Sequence, residues 1–190
     1  SYIPDNTNFD FAKDLFPLLL NKGVPLYAYQ ASGYWCDIGN LSTYLSCQRD
    51  ILEGKLRTLP APEGGILLRG ERPQGGYTLI PPVYIGKNVS IGAGAQIGPF
   101  AVLDDGCRVG NWAKIKESVL LSSSYAGDRT SLTGALLCHG ASVRRGASLF
   151  EGCAIGAGSV VGEYATVFPD VKVWPNKKVE SNQVLRDNLR

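Results

Sequence analysis

An aliphatic residue returns every six positions through most of this chain. The register runs Leu79, Ile85, Ile91, Ile97, Leu103, Val109, Ile115 and Leu121. A second run in a shifted phase holds Leu137, Val143, Leu149, Ile155, Val161, Val167 and Val173. A helix repeats near 3.6 residues and a strand at 2, so neither alone gives a beat of six. Two positions before nearly every aliphatic stands a small or β-branched residue, as at Val89, Ala95, Ala101 and Cys107. Two inward positions separated by one outward position is the alternation of a strand. The remaining residues of each hexad are often Gly, Asn, Asp or Lys, as a corner requires.

Each hexad therefore reads as one short strand and one corner. Three hexads make a triangular coil with the aliphatics stacked inside, which is a parallel β-helix. From Leu79 to Val173 the repeat predicts about five coils, a prism about 25 Å tall at ~4.8 Å per strand. The repeat resembles the left-handed β-helix family. That handedness comes from the resemblance, because most parallel crossovers are right-handed. Between the two runs, Ser122–Gly134 keeps a weak signal at Ala126 and Leu132 with five-residue steps. It reads as a coil with tight corners, or else as a protruding loop.

The chain has 190 residues, of which 44% are hydrophobic and 19% charged, enough to bury a core. A net charge of +2 argues against bulk nucleic-acid binding. No apolar run reaches the length of a membrane span, and "LFPLLL" at Leu15–Leu20 is too short for one. Five cysteines without a C-x-x-C pair read as reduced thiols of a cytoplasmic protein. Methionine is absent, even at position 1, so the sequence reads as a piece of a longer or processed chain.

The first seventy residues lack the beat. "DFAKDLFPLLLNKG" predicts a short helix capped by Asp10 or Asp14, with Pro17 confined to its first turn and Gly23 at its end. "VPLYAYQ", "ASG" and "YWCDIG" predict two strands and a tight turn. "NLSTYLSCQRDILEGK" predicts an amphipathic helix capped by Asn40 and stopped by Gly54, with Leu41, Tyr44, Leu45 and Leu52 on its apolar face.

This stretch, Phe9–Lys55, is similar to the closing segment of a sugar-nucleotide pyrophosphorylase catalytic domain. The "GYWCDIG" core followed by a helix with "YL", and then hexapeptide repeats, resembles mannose-1-phosphate guanylyltransferases most closely. "VKVWPNKKVE" at Val171–Glu180 resembles the end of the β-helix in long bacterial members, which continue into a phosphomannomutase-like domain. The expected fold is mainly β, a left-handed parallel β-helix preceded by a small α+β remnant of a nucleotidyltransferase domain. The expected bounds are 1–57 for the remnant, 58–76 for a linker, 77–175 for the β-helix and 176–190 for a tail leading to a further domain. The family's Gly-rich nucleotide loop has no match. "GERPQGG" at Gly70–Gly76 precedes strands and is not expected to cradle phosphate.

Asp37 is the metal candidate. It alternates onto one face with Trp35, and a strand-end carboxylate suits Mg²⁺; capping the following helix is its structural alternative. The resemblance implies that Asp37 shares the catalytic Mg²⁺ with a second aspartate outside this sequence. The implied reaction joins a sugar-1-phosphate to a nucleoside triphosphate, GTP for GDP-mannose, and expels pyrophosphate. With the main catalytic half missing, the piece is expected to be inactive alone and to serve assembly or regulation, including homo-oligomers. The competing reading is a hexapeptide acyltransferase using acetyl-CoA, with His139, the only histidine, as general base; an ordinary solvated corner is the bland reading of that residue. Arg144 and Arg145 read as a solvated corner or an anion site. Trp174 reads as a plug at the open end of the prism, and Cys107 and Cys153 as small core residues.

Overall fold

The computed structural model describes residues 2–56 and 64–190. The chain divides into two compact units, Ser1–Tyr34 and Trp35–Arg190.

In the first unit the expected helix forms in two pieces. A π-helical turn, Phe11–Leu15, leads into α1, Phe16–Asn21. Asp10 caps the turn, its Oδ1 accepting from the N–H groups of Ala12 and Lys13, both at 2.8 Å. Pro17 explains the break. It has no N–H to give, and its ring crowds the carbonyl four residues back, so it fits only in a first turn, where it sits. Gly23 ends the helix at φ +66°, with its N–H on Leu20 O at 3.0 Å. The two strands expected from Val24 to Gly39 do not form. That stretch has no strand residue, and Tyr27 and Tyr29 are 92% and 91% exposed. A strand needs a neighbour to accept its ladder bonds, and none of the described residues provides one there.

The second unit is the left-handed parallel β-helix. Wall I has seven strands, running from Ile66–Leu68 through Val83–Ile85, Ala101–Leu103, Val119–Leu120, Leu136–Leu137 and Ala154–Ile155 to Lys172–Val173. Wall II has six, from Ser90–Ile91 to Lys178–Val179, and wall III seven, from Thr78–Leu79 to Val184–Leu185. All pairings are parallel. The aliphatics stack inside: Ile85, Ile97, Leu103, Leu137 and Ile155 are 0% exposed. Fully burying each such side chain is worth about 1.5–3 kcal/mol. Corner Asn and Asp side chains cap the coil before, as where Asn111 Oδ1 accepts from Ala93 N at 2.9 Å and Asp128 Oδ1 from Asn111 N at 2.7 Å.

Register explains the phase slip. Val83 pairs with Ala101, eighteen residues on, but Val102 pairs with Val119 and Val119 with Leu136, seventeen on. Two successive coils are thus one residue short. Ser122–Gly134 is not a protruding loop: Ala126 and Leu132 are 0% exposed and pair with Val143 and Leu149 of the next coil. The five-residue step also moves one expected core residue. Leu120, not Leu121, points inward, and Ser118 replaces Val119 in the small inward slot. Ser118 is satisfied there, its hydroxyl donating to Lys116 O at 2.7 Å and accepting from Ala135 N at 3.1 Å.

The bounds of the prism are wider than expected. It begins at Ile66, inside the expected linker, of which residues 58–63 lie outside the described residues. It continues through the expected tail: Val179 and Leu185 are core residues, and Leu189 bridges to Val173. Trp174 is therefore no plug. One more strand of each of walls II and III follows it, and it stands at a corner, 54% exposed.

Candidate functional site

Wall I differs from the other two on its outside. The outward residues of its successive strands include Tyr84, Val102, Val119, Leu136 and Ala154 before Lys172, whereas wall II mixes Ser90, Arg108, Ser142 and Lys178 with Tyr125 and Val160, and wall III shows Gln96, Lys114 and Ser131. Against this apolar ladder lies α2, Leu41–Leu52. Its Leu41, Tyr44, Leu45 and Leu52 pack on Val102, Val119 and Leu136, all three at most 9% exposed. The Asn40 cap forms in full. Thr43 N donates to Asn40 Oδ1 at 2.9 Å, and Asn40 N to Thr43 Oγ1 at 3.2 Å. Arg49 pins the helix from the side, its guanidinium 2.8 Å from Glu117 and 4.5 Å from the Phe100 ring centre. Burial pushes the Tyr44 phenol up, and the Asp104 carboxylate adds to the effect. A groove of about 460 Å³ runs beside α2 between Ser42, Arg49, Glu117, Glu151, Asp170 and Lys172.

Asp37 lies three residues before the Asn40 cap, exposed, in the extended stretch with no strand. Asn40 caps α2, so Asp37 does not have that structural duty. Among the described residues no group of three or more His, Cys, Asp or Glu side chains stands together to hold a metal. Magnesium takes six oxygens, with carboxylates supplying one or two. One exposed carboxylate is too little, so the described residues do not build a magnesium site by themselves.

The other candidates lie apart. His139 is exposed on a corner, with Nδ1 2.9 Å from Ser122 Oγ. Arg144 and Arg145 are exposed on another corner. The Gly70–Gly76 loop joins a strand to a strand and is closed by the Tyr77 hydroxyl donating to Pro73 O. All five cysteines are free. Cys107 and Cys153 are buried, and burial pushes both thiols up, so they pack rather than react. The reading of the sequence missed the docking of α2 on wall I. Its signal is an apolar outward residue in six of the seven wall I strands, Lys172 being the exception.

The GMPPB C-terminal domain family model matches residues 79–188. The chain belongs to this family. Ahead of this GMPPB C-terminal domain, the nucleotidyl transferase family model matches residues 2–54. A UTP–glucose-1-phosphate uridylyltransferase of Synechocystis is 30% identical over 148 residues, covering 72% of this chain and 37% of that protein. A glucose-1-phosphate adenylyltransferase of Clostridium kluyveri is 26% identical over 135 residues, covering 70% of this chain and 30% of that protein. The chain thus spans about a third of the length of these curated relatives. Among solved structures, a Bacillus cereus protein described as an acetyltransferase superposes with a TM-score of 0.56 at 19% identity, covering 62% of this chain and 75% of that one. At that identity the likeness is one of fold. No helix among the described residues is long and apolar enough to cross a membrane.

Proposed function

We propose that this chain is the C-terminal part of a cytoplasmic nucleotidyltransferase that joins a sugar-1-phosphate to a nucleoside triphosphate and releases pyrophosphate. The observation that carries the reading is the order of two families on one chain, nucleotidyl transferase over 2–54 and GMPPB C-terminal domain over 79–188. The extended stretch around Asp37 supports it, since its exposed Tyr27, Tyr29 and Trp35 suit strands that complete a sheet outside this sequence. Asp37 is one carboxylate offered to a magnesium ion whose other ligands lie elsewhere. The sugar is mannose and the nucleotide GTP, giving GDP-mannose. That choice rests on the "GYWCDIG" resemblance, because the relatives' names carry glucose with UTP or ATP. The prism serves assembly or regulation, and the chain alone is inactive.

Pyrophosphate release decides it. The chain alone gives none with any pair of substrates. The full-length protein turns over mannose-1-phosphate with GTP faster than glucose-1-phosphate with UTP or ATP, and Asp37→Asn in that protein abolishes turnover while leaving its melting temperature unchanged. Faster turnover with UTP or ATP refutes the mannose and guanine assignment. Full activity in the Asp37→Asn protein refutes the role of Asp37.

A further inference from the structure

The prism edge where wall II turns into wall III carries Gly94, Trp112, Arg129, Gly146, Tyr164 and Asn182 at successive coils. All six have left-handed φ values, from +56° to +70°. Gly and Asn accept that backbone readily, whereas bulky side chains take it only against steric resistance. Burial does not repay the strain here, because Trp112 is 62% and Tyr164 50% exposed. Each ring is nevertheless seated. A Cβ on Gly94 would stand 2.3 Å from the Trp112 ring, and one on Gly146 would stand 2.5 Å from the Tyr164 ring. Two aromatic side chains are thus laid against the glycine of the coil before, with much of each left in solvent.

Charge surrounds them. Arg129 stands between the two in the column, with Arg144 and Arg145 on the next coil, all three exposed; the same corners hold two carboxylates, the exposed Glu163 and Asp128, the latter accepting from Asn111 N, so the cations are in excess. None of the three joins an ion pair among the described residues. Arg108 on the adjoining wall stacks over Tyr125 at 5.3 Å. Trp, Tyr and Arg are the residue types that anchor protein interfaces, and strain held at an exposed position is a mark of function. A prism edge is convex, while small ligands are held in clefts. A second copy meeting this edge with its own would set arginine against arginine.

We propose that this edge docks an extended, acidic protein segment. The two aromatic positions are three coils apart, about 14 Å at ~4.8 Å per coil. An extended chain advances about 3.3 Å per residue. Apolar residues four apart therefore meet the two rings, while the acidic residues between them reach Arg129 and Arg145. The inference is independent of nucleotidyl transfer.

The test titrates the chain into a fluorescein-labelled peptide with the core Leu-Glu-Asp-Glu-Leu, beside the rearranged core Leu-Leu-Glu-Asp-Glu and a single-stranded oligonucleotide of equal charge. The first peptide binds, and the rearranged one binds about tenfold more weakly. Trp112→Gly, Tyr164→Gly and Arg129→Asn each weaken the first peptide by about tenfold. These substitutions place in the column residue types it already holds at left-handed φ, and an unchanged circular-dichroism spectrum verifies the fold. The proposal is overturned by absence of saturable binding, by equal affinity for the rearranged core, or by indifference to the ring variants. Preference for the oligonucleotide, or a dimer in sedimentation that the ring variants dissolve, overturns it equally.

Discussion

Residues 24–39 and the prism are both rich in strand-forming side chains, yet only the prism has strands. "VPLYAYQ" carries Val and two Tyr and has no ladder, whereas strands as short as Gln96–Ile97 are held firmly in wall III. The difference is the neighbour. In the prism each coil presents the next with a ready row of donors and acceptors, and the inward aliphatic falls on the aliphatic of the coil before. Around Asp37 no described segment does so. Strand propensity expresses fit to a pleated surface and cannot replace that surface.

The largest test of this contrast removes one large side chain from each region. Leu132→Ala leaves a hole in a close-packed column where the residue is 0% exposed, and costs about 2–5 kcal/mol. Tyr27→Ala, at a side chain 92% exposed, stays within about 0.5 kcal/mol. Chemical denaturation of both variants measures the gap. A large cost at Tyr27 would show that the first unit buries that ring in solution. Amide exchange gives the same contrast residue by residue, slow for Leu132 and fast from Val24 to Gly39.

A second test uses the thiols. Burial raises Cys107 and Cys153 above the ordinary thiol range. As pH rises through that range, the unfolded chain releases thiol protons that the folded prism keeps. The unfolded state then binds fewer protons, and stability falls with rising pH. Below the ordinary thiol range both states are protonated and these two groups add no pH dependence. A thiol reagent at neutral pH modifies Cys107 and Cys153 only at the rate of global unfolding, and rapid modification would contradict their burial.

Much of the fold was legible because the repeat is redundant. Eight aliphatics vote for one register and seven for a second, shifted one, so the weak votes at Ala126 and Leu132 between them do not hide the fold. The errors fall where a single residue decides. One residue fewer in a coil moves the inward position from Leu121 to Leu120, and the sequence around "ESVLLSSS" offers two adjacent leucines for one slot. From sequence Trp174 reads as an end plug because the outermost coils are polar: Lys177, Lys178, Glu180 and Ser181 surround Val179. Less of the candidate site was legible. Asp37 can be picked out from its motif, but among the described residues no cluster of three or more His, Cys, Asp or Glu side chains forms. The bed of α2 was readable only to a count of outward positions, since the inward beat is stronger.

Smaller effects separate how α2 is held from how the coils are held. Asn40→Ala removes the acceptor for Thr43 N and costs about 1 kcal/mol. Asn40→Asp keeps an acceptor and loses little. Thermal melts of the two variants distinguish a working cap from a bystander, and equal melting would leave the capping box without consequence.

Arg49 is the smallest and most discriminating case. Its side chain is 45% exposed and that of Glu117 31%, so water and salt screen the 2.8 Å pair and its worth is at most about 1 kcal/mol. Its guanidinium also lies 4.5 Å from the Phe100 ring centre, a contact worth about 0.5–1 kcal/mol at an exposed site. A double-mutant cycle between Arg49→Ala and Glu117→Gln isolates the ion pair, and Arg49→Lys keeps the charge while losing the planar stack. The expected coupling is a few tenths of a kcal/mol, shrinking further in high salt. Coupling above about 2 kcal/mol would mean that charge, not the Val102–Val119–Leu136 ladder, holds α2 on the wall. The helix would then be a detachable arm, and the position of Asp37, three residues ahead of its cap, would follow ionic strength.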